Sequence, residues 1–203
     1  LEIEIIGLHW LLAKTEGFHL TDPDASIRAA TADYLCELGR LCADIGGSVL
    51  VLGSPQQRNL REGVDHAQGV RWAAEVLQRA CATLESLGVI LAVEPLGPAE
   101  GNFLLTAESG IELIDKVGSP ACRLHLDVKA MSSEVKPIHQ IIADSADLML
   151  LFLLELLPLL LPLEAFFLSF FALMKSSMRL TSLEQKCSPA LGSNSRKSLQ
   201  ICS

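Results

Sequence analysis

The sequence predicts an α/β fold on a parallel sheet: a partial (β/α)8 barrel, about five of its eight strands, followed by an aberrant Leu-rich tail. Three observations carry this. Strand-like and helix-like segments alternate four times, in units of roughly 30 to 40 residues, the size of a strand–helix–strand crossover. The strand-like segments read as continuously apolar, as strands covered on both faces must be. The Gly-rich turn of a doubly wound nucleotide binder is missing, since neither GxGxxG nor GxxxxGK[ST] occurs.

Residues 3–12, IEIIGLHWLL, are rich in isoleucine and read as a buried strand ending near His9. A helix follows from TDPDAS. Asp22 suits its cap and Pro23 its first turn; Ala30, Tyr34, Leu38 and Leu41 mark one face, and Gly46 and Gly47 stop it. SVLVLG (48–53) is a second strand. Residues 64–88 form a second helix, because Val70, Ala73, Ala74, Leu77, Ala80, Cys81 and Leu84 recur at spacings of three and four and Gly88 ends it. VILAVE (89–94) is a third strand, 106–118 a helix capped by Thr106, CRLHLD (122–127) a fourth strand, 137–145 a short helix, and 146–150 the start of a fifth strand.

Residues 1–150 are thus assigned to the barrel, and the character changes at 151. The run 150–174 is almost wholly Leu, Phe and Pro, and a polar Ser/Lys tail leads from it to Ser203. A bilayer span takes about 20 apolar residues, so length alone permits one. Glu155 and Glu164 are costly at a bilayer centre, Pro158 and Pro162 interrupt the run, and it arrives in mid-pattern. Residues 151–203 are therefore read as a frame-shifted translation rather than a membrane anchor. Leu1 enters directly on a strand-like run, which reads as the start of a fragment, and no signal-peptide pattern precedes it. The expected location is cytoplasmic.

Net charge is −8 and the sequence pI is near 5.1, which argues against a nucleic-acid surface built from clustered Lys and Arg. Six cysteines occur without a CxxC pair or a Cys/His cluster. They read as reduced thiols, four of them at apolar positions of predicted elements.

Two strands end on a carboxylate: Glu94 in AVEPLGPAEGNF and Asp127 in CRLHLDVKAMSSE. In a parallel barrel the functional groups stand at the C-terminal strand ends, where the connecting loops gather. Neighbouring strands lie ~4.8 Å apart, so the two carboxylates can converge on one point. They repel unless they share a proton or hold a cation, and a hard divalent ion suits them. The plainer alternative is that each is a helix cap or a loop residue. Glu100 and Glu134 lie six and seven residues downstream of the pair.

The stretches GLHWLL, VLGSPQQRN, VEPLGPAEGNF and LHLDVKAMSSE resemble the sugar phosphate isomerase/epimerase family, the xylose isomerase-like TIM barrels that include ketose 3-epimerases and hydroxypyruvate isomerase. The resemblance covers residues 1 to 150. It implies one divalent metal, manganese, magnesium or cobalt, held by a Glu, an Asp, a His and a second Glu. Glu94 matches the first Glu and Asp127 the Asp. The His belongs in a motif like HFHAND, where this sequence reads LFLLEL, and the second Glu in a strand like VSVEVF, which is absent. The implied substrate is a small sugar or keto acid. The implied chemistry is removal of a C–H proton beside a carbonyl through an enediolate, with Glu94 as a proton carrier. With two of four ligands missing, little turnover is expected of this chain. Glu100 matches a position near the substrate. Ala130 stands where the family's epimerases often have a His, three residues beyond the Asp, which counts against a strict ketose 3-epimerase.

His9 and Trp10 end the first strand and suit either a sugar pocket or the core. Arg58 can meet a phosphate or carboxylate or be a solvated loop residue, and Lys129 can reach the pocket from its loop. His66 and His139 read as surface residues. His125 shares a strand face with Asp127, as a partner behind the metal or as a packed core residue. An endonuclease IV-like phosphodiesterase and a non-catalytic, membrane-tethered barrel remnant are the competing readings. The oligomeric state, homo-oligomer included, stays open.

Overall fold

The computed structural model describes residues 4–153, the last four through the backbone alone. Five strands form one sheet: β1 (Gly7–His9), β2 (Val49–Leu52), β3 (Ile90–Val93), β4 (Cys122–Asp127) and β5 (Met149–Leu153). Every pairing is parallel and the sheet order is the chain order. A doubly wound sheet reverses its order at a switch point, whereas a barrel never does. Between the strands run α1 (Ala25–Asp44), α2 (His66–Leu87), α3 (Ala107–Val117), the single turn α4 (Val128–Met131) and α5 (Ile138–Ser145).

The strand pleat sorts the side chains by face. Leu50, Leu52, Leu91, Val93, Cys122, Leu124 and Leu126 join residues of α1, α2 and α3 in one apolar core. The other face carries Val51, Ala92, Arg123, His125 and Asp127. The strands are therefore not uniformly apolar, as the sequence suggested. β4 alternates, and its second face is wholly polar.

α2 matches its predicted face residue for residue. Asp65 caps it by accepting from the Gln68 N–H at 2.7 Å, and Gly88, at φ 67°, stops it in the left-handed conformation. α3 has the expected Thr106 cap, in a reciprocal box with Ser109.

Other elements differ from expectation. The first strand ends at His9, as expected, but starts only at Gly7 and is three residues long. Ile5 and Ile6 are 46% and 69% exposed, because only Gly7–His9 have a partner in β2 and Trp10 turns the chain away at φ 56°. α1 is capped by Asp24, not Asp22, and its buried face (Thr31, Leu35, Cys36, Gly39, Cys42) lies one residue round from that predicted, with Leu41 exposed. Gly39 sets that rotation: a Cβ there would stand 2.2 Å from Leu84 Cδ2, so α1 brings backbone, not a leucine, to the α2 crossing. α4 was not anticipated, since one turn shows no periodicity. β5 continues past residue 150, and its pairing with β4 slips at Leu124/His125, a bulge beside the polar face.

Cys36, Cys42, Cys81 and Cys122 are buried and free. No helix among the described residues is long and apolar enough to cross a membrane. The tail beyond Leu153, with Cys187, Cys202 and most of the apolar run, lies outside the described residues.

Candidate functional site

The loops after β1, β2, β3 and β4 surround a cleft of about 560 Å³, within the usual range for a small-molecule site. His9, Trp10, Glu94, Glu100, Asp127 and Lys129 line it. Two of these loops are stitched together by amides. Asn59 Oδ1 accepts from the Asn102 N–H at 2.9 Å, and Asn102 Oδ1 accepts from the Leu60 N–H at 2.7 Å. The stretches GSPQQRN and EGNF thus form one wall.

Glu94 follows the last residue of β3 and is 4% exposed. Its carboxylate occupies space left by Gly53 at the end of β2, where a Cβ would fall 1.8 Å from Oε2. Only glycine leaves that room. Because β2 offers no side chain there, His9 of β1 reaches across to Glu94, its Nε2 3.9 Å from Oε2. On the other side the β3–β4 register pairs Val93 with Leu124, so the next residues, Glu94 and His125, stand level. His125 Nε2 lies 3.6 Å from Glu94 Oε1. His125 is fully buried, and neither ring nitrogen has a hydrogen-bond partner among the described residues. Burial, then the neighbouring His9, push its pKa down to about 4, against a pull from Asp127. The ring is therefore neutral near pH 7, with a lone pair to give.

Asp127 lies two residues further along β4, ~6.6 Å up the strand from His125. It is 7% exposed and lines the cleft, and its Oδ1 accepts the Lys129 N–H at 2.9 Å as the cap of α4. The structure thus brings Glu94 and Asp127 to one cleft, while among the described residues the ligand-capable atoms that gather within 4.8 Å of one another are those of His9, Glu94 and His125. Lys129 Nζ pairs with Glu100 Oε1 at 2.9 Å across the cleft wall. Trp10 is 62% exposed at the lip, and Trp10 and Lys14 both hold positive φ, at 56° and 59°. Glu134 is not in the cleft, because its Oε1 accepts the Ala107 N–H at 2.9 Å at the start of α3.

Arg58 is neither a solvated loop residue nor part of the cleft lining. It is 1% exposed, and its Nη1 donates to Glu94 O at 2.7 Å and Leu52 O at 3.3 Å. It clips together the ends of β2 and β3, beneath the site. Burial lowers its pKa to about 10, opposed by Glu94 and Glu100, so it stays charged at neutral pH. His66 and His139 are exposed, as expected. The sequence reading missed Gly53 and Lys14. Gly53 had a signal, a glycine at a strand end where loops meet; Lys14 had none.

The residues around Glu94 suit a divalent cation. A carboxylate and two imidazoles converge, and a buried, neutral imidazole lacks any other partner.

Residues 2–151 match the profile of the xylose isomerase-like TIM barrel family. A curated D-psicose 3-epimerase of Enterocloster bolteae is 32% identical over 126 residues, 60% of this chain and 40% of that protein. A crystal structure of D-psicose 3-epimerase in the presence of D-fructose superimposes with a TM-score of 0.62 at 23% identity, covering 68% of this chain and 48% of that one. An L-ribulose 3-epimerase structure gives 0.60 at 23% identity, covering 67% and 46%. The chain spans less than half the length of these relatives, and the structural likenesses show the fold.

Proposed function

The chain belongs to the xylose isomerase-like TIM barrel family, and on that premise we propose that its cleft binds a small sugar or keto acid and moves a proton beside the substrate carbonyl, with Glu94 as the carrier. The relatives named above are sugar epimerases, which favours a ketose over a keto acid. One observation carries the reading: a buried carboxylate at a strand end that lines an open cleft of sugar size.

The roles follow from position. Glu94 is held at both levels, its carbonyl by Arg58 and its carboxylate by the space at Gly53, so it meets substrate with little freedom to lose. The Lys129–Glu100 pair offers donors and acceptors to hydroxyl groups from the wall, and exposed Trp10 gives a flat apolar face at the lip. Glu94, with Asp127 and the two histidines beside it, would hold a divalent ion; when bound, such an ion polarises the carbonyl and stabilises developing negative charge. A phosphodiesterase centre is less well served, since two histidines gather here and the net charge is −8.

The test is C–H exchange. The full chain, supplied with Mn²⁺ or Co²⁺, is incubated with D-psicose or D-fructose in D2O, and loss of the proton at C3 is followed by NMR. Exchange above background, lost in Glu94→Gln, supports the reading; exchange that survives Glu94→Gln removes Glu94 from it.

A further inference from the structure

A second groove runs between the start of α3 and the end of α5 and shares no lining residue with the cleft. Its volume is about 300 Å³, at the lower limit of small-molecule sites. We propose that this groove binds a small organic cation, a primary alkylammonium with an apolar body. The proposal does not rest on the proton-transfer reading.

Its charge is one-sided. Glu108 in the first turn of α3, Glu134 in the loop after α4 and Asp144 near the end of α5 bring three carboxylates to the groove, against one ammonium, Lys136. Lys136 Nζ donates to Asp144 Oδ2 at 2.8 Å. That hydrogen bond, then the charges of Asp144, Glu108 and Glu134, hold the Lys136 pKa above its ordinary value, against desolvation. The groove thus already favours an ammonium of its own, and negative charge remains in excess. The same charges turn anions away. The N–H of Ala107, which could attract one at the start of α3, is taken by Glu134 Oε1 at 2.9 Å.

Charge alone does not make a site, and Ser145 adds a second observation. It lines the groove from the last position of α5, is 1% exposed, and its Oγ has no hydrogen-bond partner among the described residues. A helical serine can return its hydroxyl to the carbonyl one turn back, and buried polar atoms are paired in almost every native protein. An unpaired buried oxygen in a groove of carboxylates suits a ligand that brings N–H donors. An ammonium brings three.

The rest of the lining decides for an organic cation over a metal ion. Ile111, Ile141 and the fully exposed Val135 give the groove an apolar surface. Among the described residues, its three carboxylates do not gather ligand atoms within 4.8 Å of one another, as the groups around Glu94 do. Asp144 also accepts from both Lys136 and Gln140. A hydrated metal ion gains nothing from isoleucine and valine, whereas an alkyl chain gains by leaving water against them.

Hexylammonium chloride, titrated into the full chain and followed by saturation-transfer NMR, tests this, with 1-hexanol and sodium hexanoate as its uncharged and anionic counterparts. The expected result is saturable binding of hexylammonium at roughly millimolar concentration, with hexanol weaker by about threefold or more and hexanoate not bound. Glu108→Gln and Ser145→Ala should each weaken hexylammonium by about threefold or more, and Lys136→Met, which removes the competing ammonium, should tighten it by about as much. Glu108 and Lys136 are exposed, so neither variant endangers the fold. Ser145→Ala loses no hydrogen bond and should keep the wild-type urea midpoint; a marked fall would show that the hydroxyl already has a partner, and the proposal fails. Equal binding of hexanol reduces the groove to an apolar crevice and overturns it. So does Asp127→Asn weakening hexylammonium while Glu108→Gln leaves it unchanged, since the amine then sits in the larger cleft. Absence of saturable binding also overturns it. No arm of the experiment reads C–H exchange, so its failure leaves the proposed reaction untouched.

Discussion

Gly53 shows how much one residue can decide. Its missing Cβ creates the space for Glu94 Oε2 and opens the path by which His9 crosses β2. Gly53→Ala adds a methyl group 1.8 Å from that oxygen, so the carboxylate must swing away. The expected cost is about 1–3 kcal/mol in a urea titration, with loss of both Co²⁺ binding and C–H exchange. Wild-type cobalt affinity in this variant would mean that Glu94 does not need the position described. A second residue-scale prediction concerns His19, buried near the start of α1 and not itself among the residues that line the cleft. Burial and then Arg61 hold its pKa below the ordinary value of 6.5, against Asp22. Above 6.5 the ring is neutral in both folded and unfolded chains, and stability is unaffected. As the pH falls below 6.5 the unfolded chain takes up a proton that the folded chain resists, so stability declines until the folded value is passed. Between pH 7 and pH 5 the urea midpoint should therefore fall more for the wild type than for His19→Asn. Parallel falls would assign the acid sensitivity elsewhere.

At the scale of elements, the strand ends are held by side chains from loops, and Arg58 is the clearest case. Its guanidinium ties Leu52 O and Glu94 O together inside the protein. Arg58→Ala should cost about 3 kcal/mol, from the vacated volume and two stranded carbonyls, and Arg58→Lys should recover only part, since a single ammonium cannot match the planar fork. A change below about 0.5 kcal/mol, the usual size for a surface residue, would show that the clip contributes little. Arg58 also marks a limit of sequence reading: charge suggests exposure, and nothing in GSPQQRN announces that the loop folds over its own arginine. α2 and α3 were legible because their apolar spacing and caps are local. The apolar spacing of α1 points one residue off its buried face: Tyr34 and Leu38 pack only at the edge of the core, and the closest approach to α2 is made through Gly39. Glu94 and Asp127 were legible as strand-end carboxylates. Their unequal surroundings were not, because these depend on register: the pairing sets Glu94 level with His125 and leaves Asp127 above.

For the whole molecule, the order β1-β2-β3-β4-β5 means that the cleft is approached by neighbouring strands in succession. Glu94, Glu100 and Asp127 all rise from β3 and β4 or the loops after them, so a sugar bound as proposed would meet these carboxylates from one side. Net inversion at a carbon needs a base on one face and an acid on the other. Removal and return of the proton on the same face needs only one. On the proposed reading Glu94 serves the first face, and the carboxylates that line the cleft among the described residues are Glu94, Glu100 and Asp127. If these alone serve the reaction, the substrate proton should exchange with solvent deuterium faster than the carbon inverts, by about tenfold or more. Both rates come from one experiment: a ketose in D2O with Mn²⁺ or Co²⁺, in which NMR reports deuterium at C3 of the starting sugar and, separately, the appearance of its epimer. A ratio well above one, with both rates lost in Glu94→Gln, fits a one-faced site. Equal rates would mean that a second acid reaches the opposite face, and the one-sided assignment of the carboxylates would have to be withdrawn.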